Sequence, residues 1–143
     1  MYALRSGVLI LALAAQGGAL AAELAPRTQN GIVYLSGGVG EDERQAMQAA
    51  RADYPVRLTF ATKGSGEFRA DVSVTIVDRA GAVAAAFVSP GPLCYLKLAP
   101  GSYRVVASLR GKELTQALTV QPLAARELYF YWDPESATPD RAQ

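Results

Sequence analysis

Two rhythms of apolar residues divide this chain. Residues 41–53 carry a helical pattern, with Met47, Ala50 and Tyr54 spaced to line one side, and Pro55 forces its end. Glu41, Asp42 and Glu43 fill the first turn, where carboxylates complement the positive end of the helix dipole. Before the helix, Ile32 to Ser36 reads as a short strand and Gly37-Gly38-Val39-Gly40 as the turn that breaks it. After Pro55 the period falls to two. Val56, Leu58 and Phe60 alternate with Arg57 and Thr59. Beyond a turn at Lys63-Gly64-Ser65-Gly66, one inward row runs through Phe68, Ala70, Val72, Val74 and Ile76. Asp78-Arg79-Ala80-Gly81 has the form of a type I turn. The strand from Ala82 to Val88 is too rich in alanine to assign an inner face.

Arg110-Gly111-Lys112-Glu113 predicts a two-residue hairpin with glycine first, a type II′ turn that sets Leu109 opposite Leu114 and Val105 opposite Leu118. The apolar rows of both strands then share one face. Leu93 to Leu98 is a further strand, and Ala99-Pro100-Gly101-Ser102 predicts a type II turn with Gly101 at positive φ. In the last strand, Leu128, Phe130 and Trp132 face one way, and Tyr129 and Tyr131 the other. Short strands with regular turn signals and one N-terminal helix predict a mainly β fold, an antiparallel β-sandwich of about seven strands.

The domain is expected over residues 31–132, with the helix at 41–53 inside it. Ahead of it, residues 1–21 read as a cleavable secretory signal peptide: Arg5 supplies the positive start, Gly7 to Ala15 the apolar stretch, and Ala19-Leu20-Ala21 the small-x-small cleavage site. The apolar stretch is shorter than the ~20 residues that span a bilayer, so no transmembrane segment is expected after cleavage. Residues 22–30 read as a polar linker and 133–143 as a flexible tail. The expected location is the periplasm.

With the leader removed, 13 basic residues balance 13 acidic ones, which argues against a nucleic-acid partner or adhesion to an anionic membrane. Histidine is absent. That removes the usual general base near neutral pH, the Ser-His-Asp and Cys-His arrangements and the common zinc sites, so no catalytic residue, metal ligand or cofactor is assigned. Cys94, the single cysteine, lies between apolar neighbours and reads as a buried, inert thiol.

Val72-x-Val74-x-Ile76-x-Asp78-x-x-Gly81, Leu96-x-Leu98-x-Pro100-Gly101-x-Tyr103-x-Val105 and Gly111 resemble the carboxypeptidase regulatory-like domain. The resemblance implies a prealbumin-like sandwich, within a group of small exported bacterial proteins of unknown function. It implies no activity, since such domains serve as spacers, binding units and stabilising appendages. Relatives of the fold that hydrolyse a purine breakdown product use histidines, which this chain lacks.

The candidate interaction patch joins the loop residues Ser36, Gly37, Gly38, Glu41 and Asp42 to Tyr129 and Tyr131, because tyrosine is enriched at recognition surfaces. The glycines lack the Gly-Lys-Ser/Thr of a phosphate cradle, and the acids lack the spacing of a calcium loop. The helix is expected to pack over Tyr129 and Tyr131, since Met47 and Tyr54 need an apolar partner, leaving any uncovered part for recognition. The expected function is a non-enzymatic binding or accessory module of the bacterial envelope, with an unknown protein or envelope component as partner. The alternatives are a carboxylate-dependent hydrolase and a structural envelope protein.

Overall fold

Alternation along each strand turns one row of side chains inward, and these rows meet in a shared core. The structure, a computed structural model, describes residues 24–135. The stretch read as a signal peptide, residues 1–21, and residues 136–143 of the expected tail lie outside the described residues. Among those residues the order is β1 (Arg27–Gln29), β2 (Ile32–Gly37), α1 (Glu41–Ala50), β3 (Val56–Thr62), β4 (Val72–Asp78), β5 (Val83–Ser89), β6 (Leu93–Lys97), β7 (Gly101–Leu109), β8 (Lys112–Val120) and β9 (Arg126–Trp132). A five-stranded sheet runs β1-β2-β6-β3-β9 and a four-stranded sheet β5-β4-β7-β8. Neighbours are antiparallel except β3 and β9, which run parallel. Phe60, Leu58, Leu96 and Phe130 of the first sheet join Val74, Ile76, Val105 and Leu118 of the second in one core. The arrangement is sandwich-like. Each such side chain removed from water contributes roughly 1.5–3 kcal/mol before entropy is charged against it.

Among the described residues nine strands stand where about seven are expected. One addition is β1, inside the stretch read as a linker; its residues Arg27-Thr28-Gln29 are polar and carry no strand signal, yet they pair with β2. The helix matches its expected start, and its last turn tightens to a 3-10 turn at Arg51–Asp53 before Pro55. In β5, Ala85 and Ser89 are buried and Phe87 stacks on Tyr34 at 3.8 Å between ring centroids, which assigns the inner face that alanine content left open.

Three local expectations are corrected. The β7–β8 hairpin turns on Arg110 and Gly111, both at positive φ (49° and 78°), the signature of type I′ rather than II′. Leu109 therefore faces Lys112, and Val105 faces Gln116. This register differs from the expected one by two residues, so every side chain keeps its face. Gly101 is the first residue of β7, paired with Val120 at φ 156°, not the third position of a type II turn. Strand β4 begins at Val72; Asp71 sits at φ 59°, and Phe68 lies outside the core.

Side chains close both seams between the sheets. The Gln29 carbonyl accepts the Ala86 N–H, and Asn30 Nδ2 donates to Ala84 O at 3.3 Å, which covers the free edge of β5. At the opposite seam, Gln116 Nε2 donates to Tyr129 O at 2.6 Å and Trp132 Nε1 to Lys112 O at 2.9 Å.

Candidate functional site

Among the described residues, the helix covers the β2 and β6 half of the outer face of the five-stranded sheet. Met47 and Tyr54 pack on Leu35 of β2 and Tyr95 of β6, with Leu24, Val33, Ala50 and Leu93 around them. The expectation that the helix lies over Tyr129 and Tyr131 is thus corrected: its apolar stripe finds its partner on β2 and β6. Its last turn is fixed there by Arg57, whose Nε donates to the carbonyls of Arg51 at 3.1 Å and Tyr54 at 3.2 Å. Glu127 of β9 pairs with Arg51 and lies 3.6 Å from Arg57, forming a charged rim between the covered and open halves. Lys97 Nζ lies 5.0 Å from the centre of the Tyr54 ring. Burial pushes the hydroxyl pKa of Tyr95 upward, so this phenol stays neutral.

The open half belongs to β3 and β9. Register sets Thr59 beside Tyr129 and Ala61 beside Tyr131, and an isolated antiparallel bridge places Phe68 on the other side of Ala61. Phe68, Ala61 and Tyr131 therefore form a row across one face. Val39, in the loop before the helix, lines a shallow depression together with Phe68 and Arg44. Val39, Phe68, Tyr129 and Tyr131 are 57%, 46%, 47% and 49% exposed, large values for apolar or aromatic residues on one continuous face. The Tyr129 and Tyr131 rings lie nearly parallel (9°) with centroids 6.2 Å apart, a preformed pair.

The loop half of the expected patch divides. Ser36 exchanges hydrogen bonds with Ser89 and Gly91, and Gly37 and Gly38 are buried against Met47 and Leu93. These three hold the sheet-to-helix turn; Gly38 N–H donates to Glu43 Oε1 at 3.2 Å. Glu41 and Asp42 are exposed on the first turn of the helix. The loop reaches the aromatic face through Val39, which is absent from the expected patch, and through Phe68, which is expected in the core. Exposure of Val39 had no signal in the pattern; the Lys63-Gly64-Ser65-Gly66 turn just before Phe68 was the one available warning.

Glu135, just past β9, is held below the usual carboxylate range by the hydrogen bond from Arg69 and the neighbouring charge of Arg110. A general acid needs the opposite displacement. Among the described residues no helix is long and apolar enough to cross a membrane. No protein-family model matches the chain, and no curated protein matches it significantly.

Proposed function

We propose that this chain is an exported, non-enzymatic binding or accessory module of the bacterial envelope, a prealbumin-like sandwich of the carboxypeptidase regulatory-like type that engages its partner through the open half of its outer sheet face. One observation carries the reading: Phe68, Tyr129 and Tyr131, with Val39 beside them, stay exposed on a rigid sheet while the helix covers the other half. Tyrosines held by β-sheet backbone lose little entropy on binding, which favours them as anchors. The partner is a protein or another envelope component. The export claim rests on the leader pattern, and intact mass on periplasmic material tests it: a mature start at Ala22 or Glu23 is expected, and a main species retaining Met1 would overturn it.

The binding claim is tested by crosslinking capture from the envelope fraction with wild type and a Tyr129→Ala/Tyr131→Ala variant. The variant should melt like wild type and bind the captured partner about 30-fold more weakly, equivalent to ~2 kcal/mol. Undiminished capture removes this face from the function. Turnover in a broad hydrolase screen, abolished by changing one Asp or Glu, would replace the reading with the hydrolase alternative.

A further inference from the structure

At the end of the sandwich where β3, the β7–β8 hairpin and the chain after β9 come together, an open cleft of about 870 Å³ lies between the loop 63–71 and the hairpin tip. Its cationic side chains are Lys63, Arg69 and Arg110. Arg69 is largely buried, its side chain 17% exposed, so its guanidinium is held in place rather than free in solvent. Glu135 reaches back into the cleft; its carboxylate accepts from Arg69 Nη2 at 2.8 Å and also pairs with Arg110. Lys63 has no ion-pair partner among the described residues. The acids Glu67 and Asp71 also line the cleft, are exposed, and pair with none of these cations. Thr62 lines the cleft too, and its hydroxyl is the one fully buried side-chain polar atom among the described residues that lacks a hydrogen-bond partner. Of the cleft's cations, Arg69 is the one held by burial, while Lys63 and Arg110 are exposed.

The geometry points to a carboxylate-binding site in this cleft, in which the Glu135 carboxylate is a tethered occupant that an external carboxylate displaces. A guanidinium offers N–H donors in a planar fork matched to a carboxylate, and here two converge on one. Glu135 stands on a short exposed segment after β9, so exchanging it for a ligand leaves both sheets undisturbed. Its tethering sets a high local concentration, and affinity for an external carboxylate is lowered accordingly until it leaves. The carboxylate of the ligand has two sources in a peptide, the chain terminus or an acidic side chain. Phe68 lines both this cleft and the aromatic face, but Tyr129 and Tyr131 do not line the cleft, so the Tyr129→Ala/Tyr131→Ala variant separates the two sites.

The test uses the full chain, free of its leader, and three probes in NMR titrations: acetyl-Ala-Phe-Ala with a free C-terminus, the same peptide amidated, and amidated acetyl-Ala-Glu-Ala. Glu135→Ala should raise affinity for at least one carboxylate peptide tenfold or more over wild type. The amidated apolar peptide should not bind, and whichever carboxylate peptide binds identifies the source. Adding Arg110→Gln, at an exposed position, to Glu135→Ala should remove most of the gain, and Arg69→Gln should remove it as well, with melting curves confirming that both fold. Equal binding of acid and amide, no gain in Glu135→Ala, or a gain that survives loss of Arg110 overturns the proposal.

Discussion

The hydroxyls of Ser36 and Ser89 meet at 2.7 Å across the gap between the two sheets. Ser89 donates to Gly91 O at 2.9 Å, and Gly91 N–H donates to Ser36 Oγ at 3.0 Å. The Ser36 proton is thereby directed to Ser89, and the three residues close a ring in which each polar group is used. Ser36→Ala breaks the ring and should cost about 1–3 kcal/mol in urea unfolding. Because both hydroxyls belong to one network, Ser36→Ala/Ser89→Ala should cost clearly less than the two single changes added. Strict additivity would show that the ring does not act as a unit.

Gly91 owes its identity to a close crossing. A Cβ there would lie 2.2 Å from Gly37 O, so alanine forces β2 and the 90–92 loop apart. Gly91→Ala should destabilise by about 1–3 kcal/mol or more. Gly64→Ala meets open space and carries only the strain of its positive φ, about 1 kcal/mol. Equal melting temperatures for the two variants would contradict the crossing.

Tyr103 is half-buried, and its hydroxyl donates to Ala99 O at 2.7 Å, bridging the turn that enters β7. Tyr103→Phe should lose about 1 kcal/mol, the net contribution of one such bond. Tyr103→Ala should lose more than that, yet less than the ~3–5 kcal/mol of a fully buried aromatic. Wild-type stability of Tyr103→Phe would mean that the bond contributes nothing to the corner.

Burial pushes the Cys94 thiol from its ordinary 9.0 up to about 12, with Ser89 pulling weakly the other way. Since the folded value is the higher one, the stability linked to this group is complete below about pH 9 and is lost as pH rises toward about 12. Iodoacetamide at about pH 8 should label the native protein only at its rate of unfolding. Cys94→Ala should flatten the alkaline fall in stability. Rapid labelling of the native state would contradict the burial.

What the sequence reveals and what it hides follow from the reach of each signal. The rows of β3, β7 and β8 are legible because burial of one face imposes a period of two. That same period cannot tell a type I′ turn at Arg110-Gly111 from a type II′ turn at Gly111-Lys112, since a two-residue shift leaves both faces unchanged. The stripe of Met47 and Tyr54 states that the helix needs an apolar partner but not which half of the sheet supplies it. Leu35 and Tyr95 win because the chain enters the helix directly from β2, while Arg57 ties its end down. Phe68 continues an apolar alternation in sequence, yet the left-handed Asp71 interrupts the strand and leaves the ring outside. The parallel pairing of β3 with β9 joins distant segments and has no local signature.

The side-chain closure of both seams bears on how the molecule behaves in company. A bare strand edge is a template on which another chain can add its own backbone, and repetition of that step makes fibres. Here the Gln29 and Asn30 side chains occupy hydrogen-bonding positions on β5, while Gln116 and Trp132 tie β8 to β9. At those positions a neighbouring molecule finds backbone groups already taken. A strand added from outside would first have to displace these side chains, so the seams resist edge-to-edge growth where they are tied.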